Sequence, residues 1–244
     1  MDRTITGRGG HMRRARRNGL VAAAALAALL AGASLHPALA VDPFGPSGTV
    51  TVTPTASNQF AGTFDRGAGS REFTSRYGAP ADGGTGALEL RTPGDGDKVQ
   101  FVTREVGGPL SRFATSSYQA FRSPESSTDA MPSFQIAADI DGGDLGPQDL
   151  HLLTYLPDPA PVGRWTRYDV GSGTFCLTRQ IGATDAYREC ADGAPQYTLD
   201  EIMDAHPGIS AYAAGVNQGA GNAGLVSAVD LITVGRRTYD LEPG

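Results

Sequence analysis

Trp165, Arg167 and Asp169 combine residue types and spacing that could form a ligand site. They alternate through Gly163-Arg164-Trp165-Thr166-Arg167-Tyr168-Asp169, and a strand places residues two apart on one face. An indole can stack on a sugar ring while a nearby guanidinium and carboxylate make charge-assisted hydrogen bonds to its hydroxyls. Tyr168 adds a second aromatic beside them. The competing structural reading is that the single Trp of the chain packs in the core or at its rim.

Carboxylates suggest a second chemistry. Asp139, Asp141 and Asp144 fall within Asp139-Ile140-Asp141-Gly142-Gly143-Asp144 and could offer hard oxygens to a structural calcium ion at a strand end. The spacing departs from the twelve-residue calcium loop and lacks its closing Glu, and Asp and Gly also make ordinary turns. Asp95 and Asp97 carry the same ambiguity. Gly219-Ala220-Gly221-Asn222-Ala223-Gly224 matches the dinucleotide fingerprint in letters. That fingerprint needs a helix opening at its last Gly, whereas Leu225-Val226-Ser227-Ala228-Val229 reads as strand, so a connector is expected. Beyond residue 40 the only histidines are His151 and His206, and there is neither a G-x-S-x-G elbow nor an H-E-x-x-H motif. No catalytic residue is assigned.

The elements that must position these groups are short strands. Thr49–Thr53, Ala87–Arg91, Val99–Val106, Phe113–Phe121, Ser133–Ile140, His151–Tyr155, Arg164–Val170, Thr174–Arg179, Ile209–Val216, Val226–Val234 and Thr238–Leu241 are separated by Gly, Pro, Ser and Asp. Phe134, Ile136, Ala138 and Ile140 share one face, as in a half-buried strand. One short helix is expected near 199–205. Thr198-Leu199-Asp200-Glu201 spells a capping box, Leu199, Ile202 and Met203 form its apolar stripe, and Pro207-Gly208 stops it. The pattern predicts an all-β, two-sheet antiparallel sandwich of jelly-roll type.

The first forty residues read as a signal peptide. Arg13, Arg14, Arg16 and Arg17 precede an apolar Leu20–Leu35 stretch, and Ala38-Leu39-Ala40 supplies the small-x-small cleavage pattern. The expected organisation is therefore 1–40 signal peptide, 41–58 N-terminal segment and 59–244 β-sandwich domain. Removing residues 1–40 takes six Arg and one Asp from 20 basic and 26 acidic residues, leaving 14 against 25. An acidic chain repels nucleic acid and anionic membranes, and no membrane insertion is expected after signal removal. Cys176 and Cys190 are the only cysteines, and in an oxidising compartment they are expected to form a disulfide.

A wider pattern runs through Gly86-Ala87-Leu88-Glu89-Leu90, Asp97-Lys98, Pro109-Leu110 and Thr115-Ser116-Ser117-Tyr118. It continues through Gly163–Asp169, Thr198-Leu199-Asp200-Glu201-Ile202, Asn217-Gln218-Gly219-Ala220-Gly221 and Val229–Gly235. Over most of residues 60–242 the chain resembles a group of secreted bacterial proteins of unknown function with a jelly-roll-like β-sandwich. In outline that group is similar to carbohydrate-binding and laminin-G-like modules. The resemblance implies a fold and brings no catalytic residues with it. The expectation is a secreted, non-catalytic module binding a glycan or cell-surface component, with no cofactor beyond a structural calcium. An extracellular polysaccharide hydrolase or lyase on the same fold, and a structural surface protein without a ligand site, stay open.

Overall fold

The computed structural model describes residues 47–142, 150–177, 190, 194–219 and 221–244. The expected signal peptide and Asp144 lie outside the described residues. The first strands are β1 (Gly48–Val52), β2 (Phe64–Arg66), β3 (Ser70–Thr74), β4 (Ala87–Thr92), β5 (Lys98–Thr103) and β6 (Gly108–Pro109). Next come β7 (Ser117–Arg122), β8 (Ser133–Asp139), β9 (Leu150–Tyr155), β10 (Trp165–Asp169), β11 (Thr174–Leu177) and β12 (Tyr197–Thr198). The chain ends with helix α1 (Leu199–Ala205), then β13 (Ser210–Gln218), β14 (Leu225–Val234) and β15 (Arg237–Leu241).

The strands form two sheets. Sheet I has β14 at its centre, with β4 and β3 beyond its first half, β15 and β1 beyond its second half, and β7 then β10 on its other edge. Sheet II runs β12-β11-β9-β8-β13-β5-β2, with β6 also on β13. Pairing is antiparallel in these ladders except between β1 and β15. The fold is the expected antiparallel sandwich. Among the described residues no helix is long and apolar enough to cross a membrane.

Period-two patterning decides which side chains face the interior. Leu88, Leu90, Tyr118, Ala120, Val229 and Tyr239 point inward from sheet I. Val99, Phe101, Phe134, Ile136, Leu153, Phe175 and Val216 meet them from sheet II. Phe60, on a short turn before β2, lies between the sheets. Its ring stacks 4.0 Å from Phe101 of β5 and meets Tyr239 of β15 edge-on at 5.0 Å. Each such ring contributes roughly 1.5–3 kcal/mol by leaving water.

The capping box forms as its letters predict. Glu201 N–H donates to Thr198 Oγ1 at 3.3 Å, and Thr198 N–H donates to Glu201 Oε2 at 2.8 Å. Leu199 and Ile202 are buried, and His206 closes the helix by donating its N–H to the Ile202 carbonyl. β2, β3, β6 and β12 are additional to the expected strands, and the expected strand Phe113–Phe121 is shortened at its start. Leu110–Thr115 is a 3-10 helix, and β7 starts only at Ser117. Leu110 and Phe113 both enter the core, and their three-residue separation suits a 3-10 turn better than an extended strand.

Cys176 and Cys190 are joined, with Cα atoms 5.3 Å apart. Cys176 is fully buried on β11, so the bond ties the chain at Cys190 to a strand paired on both sides within sheet II. The loop it closes spans a separation of 14 residues, which on the chain-entropy model stabilises the fold by about 3 kcal/mol. The Cys176→Ser/Cys190→Ser double variant should therefore unfold at lower denaturant concentration. A midpoint equal to that of the parent would contradict this.

Candidate functional site

Trp165 opens β10, an edge strand of sheet I that pairs only with β7 among the described residues. Its cross-strand partner is Phe121, whose ring lies 5.6 Å away. Phe121 in turn lies 5.1 Å from Tyr77. All three rings are half-buried and form a continuous aromatic strip on the outer face. The indole N–H donates to the Tyr77 carbonyl at 3.3 Å, which fixes the ring plane without removing it from solvent.

Arg167 and Asp169 follow Trp165 on the same face, as alternation requires. Arg167 Nε donates to Asp169 Oδ1 at 2.8 Å, and both side chains are more than half exposed. An exposed pair of this kind holds its geometry weakly and can exchange partners with a ligand. Tyr168 is elsewhere: it is buried, stacked 5.2 Å from Tyr118, and its hydroxyl donates to the Asp158 carbonyl at 2.9 Å. Burial, reinforced by Tyr155 and Asp158, pushes its hydroxyl up to about 12. The structure thus brings Trp165, Arg167 and Asp169 together and turns Tyr168 into the core.

Tyr77 belongs to the segment 75–86, which joins β3 to β4 as a strap over the outer face of sheet I. Its hydroxyl bonds Glu89, and the Arg76 guanidinium sits 5.5 Å over its ring. Glu89 also takes two hydrogen bonds from Arg91, while Arg76 and Arg91 both reach Glu125. Burial alone would raise the Glu89 carboxyl, but hydrogen bonds from Arg91 and Tyr77 and the two arginine charges hold it below the usual range. Glu242 anchors the far end of the strap through Thr85 N–H and Oγ1 at 2.8 Å each and Gly86 N–H at 3.1 Å.

Asp230 of β14 lies under this strap and is completely buried. Its Oδ1 accepts from Leu231 N–H at 2.6 Å and Leu241 N–H at 2.8 Å. Its Oδ2 faces Gly83, where a Cβ would come within 2.7 Å, so only a glycine lets the strap lie this close. Burial, opposed by the two backbone bonds and aided by Asp240 and Glu242, raises the carboxyl to about 7. A raised carboxyl often marks a general acid, but this one is sealed from any substrate.

The other residues singled out in the sequence are dispersed. Asp139 is buried at the end of β8 while Asp141 is exposed. Burial first, then a hydrogen bond and like charge from Asp141, raises the Asp139 carboxyl. Calcium takes six to eight oxygens, and among the described residues no three His, Cys, Asp or Glu side chains could hold a metal. His151 is buried on β9 opposite Ala138. The segment 219–224 joins β13 to β14, two strands, as the letters around it predict. Tyr77 and Phe121 were not legible as site residues, because their proximity to Trp165 depends on strand pairing and on the path of the strap.

No family model and no curated sequence matches the chain. Among solved structures, the chain is similar to the family 11 carbohydrate-binding module of the cellulosomal cellulase Lic26A-Cel5E of Clostridium thermocellum. That match has 13% identity and a TM-score of 0.38, over 72% of this chain and 87% of that one. A family 11 module from Clostridium thermocellum in complex with a β-1,3-1,4-mixed-linked tetrasaccharide matches at 14% identity and TM-score 0.39, over 75% and 89%. At such distance the likeness carries no argument about ligand or residue roles.

Asp230 sets a pH dependence. Its carboxyl is raised in the folded chain from 3.8 to about 7, so folding disfavours its ionised form. Its contribution is unpenalised below about pH 4, worsens as pH rises to about 7, and is flat above that, a loss on the order of 4 kcal/mol. Asp230→Asn keeps an acceptor for Leu231 and Leu241 without the charge. The variant should match the parent in melting temperature near pH 4 and exceed it increasingly up to pH 8. A difference independent of pH would contradict the assignment.

Proposed function

We propose that the chain is an exported, non-catalytic glycan-binding module that stacks a sugar ring on Trp165. Arg167 and Asp169 then hydrogen-bond the sugar hydroxyls. The observation that carries this reading is the half-exposed indole on an edge strand, with Phe121 and Tyr77 continuing the apolar surface behind it and an exposed ion pair ahead. Aromatic faces match the apolar face of a pyranose, and a rigid ring loses little entropy on binding. The indole is held by Tyr77, so its plane is set before a ligand arrives. Tyr168 contributes from inside the sandwich by anchoring β10.

Export rests on the arginine-rich, Ala/Leu-rich N-terminal forty residues and agrees with a formed disulfide. Catalysis by a raised carboxyl finds no support at Asp230, which no substrate can reach.

Retention on arrayed neutral polysaccharides, with released reducing sugar measured in parallel, tests this reading. The parent should be retained without releasing sugar, and Trp165→Ala should lose about tenfold or more in affinity with its fold intact, as loss of an aromatic anchor does. Equal retention of Trp165→Ala would remove the indole from the site. Sugar release would make the protein an enzyme.

A further inference from the structure

Strand pairing lays out the outer face of sheet I in rows. One row runs Trp165 of β10, Phe121 of β7 and Ala228 of β14; the next runs Arg167, Gln119 and Asp230. Core packing agrees, since the alternate residues Tyr118, Ala120 and Tyr168 all lie inside. Exposure rises from strand to strand along both rows. Ala228 and Asp230 are completely buried, Phe121 and Gln119 are half-buried, and the Arg167 side chain is 55% exposed. The strap accounts for this gradient, because Gly83 sits on Asp230 and Tyr77 packs on Phe121. What stays open is a shelf two strands wide, formed by β7 and β10, with the strap along its inner side. Neighbouring strands lie about 4.8 Å apart, so a single sugar chain fits along the shelf.

Gln119 is the uncommitted polar group on that shelf. Arg167 and Asp169 bond each other, the Trp165 indole is tied to the Tyr77 carbonyl, and Phe121 lies between two rings. Among the described residues the Gln119 side chain has no hydrogen-bond partner. A primary amide both donates and accepts, so it can give a bond to one sugar hydroxyl and take one from the next. A guanidinium only donates and a carboxylate only accepts, so neither neighbour can do both. The step from Phe121 to Gln119 along β7 is two residues, about 6.6 Å. The amide therefore lies past a ring stacked on Trp165 and beside the sugar that follows it.

We propose that Gln119 forms a second subsite beside Trp165, and that the ligand class is a linear neutral glycan lying along β7 and β10. One ring stacks on Trp165. The next sets a pair of neighbouring free hydroxyls on the Gln119 amide, with Arg167 across from it. The strap on the inner side leaves no room for a branch at that second residue, so an unbranched chain is selected. This subsite presupposes the glycan-binding reading of Trp165 and adds to it the length and substitution pattern of the ligand.

Titration of the purified protein with linear glucan, xylan, mannan and galactan series, from monosaccharide to trisaccharide, tests the proposal. In the series that binds, affinity should rise about tenfold from monosaccharide to disaccharide, as a subsite making two hydrogen bonds implies. Gln119→Met keeps the side chain's length without its polar atoms and should bring the disaccharide down to the monosaccharide's affinity. Trp165→Ala should weaken both sugars alike. A rise that survives in Gln119→Met would overturn the second subsite and leave the Trp165 site standing. Sugars that bind Trp165→Ala as tightly as the parent, or no binding in any series, would overturn both. Disaccharides O-methylated on one residue or the other extend the test to the parent protein, where a variant's folding plays no part. One of the two should fall to the monosaccharide's affinity, and full affinity in both would overturn the proposal.

Discussion

β14 has ten residues and two successive partners on one edge, and the change of partner falls on Asp230 and Leu231. Up to Val229 the strand pairs with β4; from Ile232 it pairs with β15. Leu231 takes φ 46° at the junction, a left-handed conformation that costs a branched residue free energy. The Asp230 carboxyl offsets that cost by accepting N–H groups from Leu231 and from Leu241 on β15 through Oδ1. One oxygen thus bends β14 and joins it to the last strand of the sheet. The position of β4, the path of the strap from β3 and the seat of Tyr77 all follow from where β14 is allowed to turn.

Electrostatics then divides the surface. On sheet I acids and bases are matched: Glu89 and Glu125 are answered by Arg76 and Arg91, and that network pins the strap beside the aromatic strip. The strap holds Tyr77 against Phe121 and Trp165, while Arg167 and Asp169 farther along the edge strand stay in water. On sheet II matching is incomplete. Lys98 faces Arg66 across the ladder, and burial together with that like charge lowers its ammonium to about 8.

Much of the architecture was legible because local patterns and tertiary demands agree. Alternation in Ser133–Asp139 names its inward face, and the capping box at Thr198 and Glu201 is made by residues only three apart in the chain. Tyr168 was grouped with Trp165 for its chemistry, but alternation puts it on the opposite face of β10, and the structure buries it in the core. Phe113–Thr115 was read as strand because Phe113 and Phe121 bracket an alternating stretch, whereas the three-residue spacing from Leu110 to Phe113 decides the local helix. The partners of Trp165 were hidden for a different reason. Tyr77 lies in a Gly- and Pro-punctuated connection whose course is set by Glu89 and by Asp240 and Glu242, the last two far away in sequence. Lys98 carried one local signal, being the only lysine, but the like charge opposite it exists only once β2 places Arg66 there.

The single indole gives a direct test of the central claim, that a glycan is bound at the edge of sheet I. Its N–H is one resolved resonance in a proton–nitrogen correlation spectrum, and it can be followed while neutral oligosaccharides of several linkages are titrated in. Saturable movement of the indole signal, with backbone shifts confined to β7, β10 and the strap, is the predicted result. An indole signal that stays fixed while a bound oligosaccharide shifts resonances elsewhere would contradict the account.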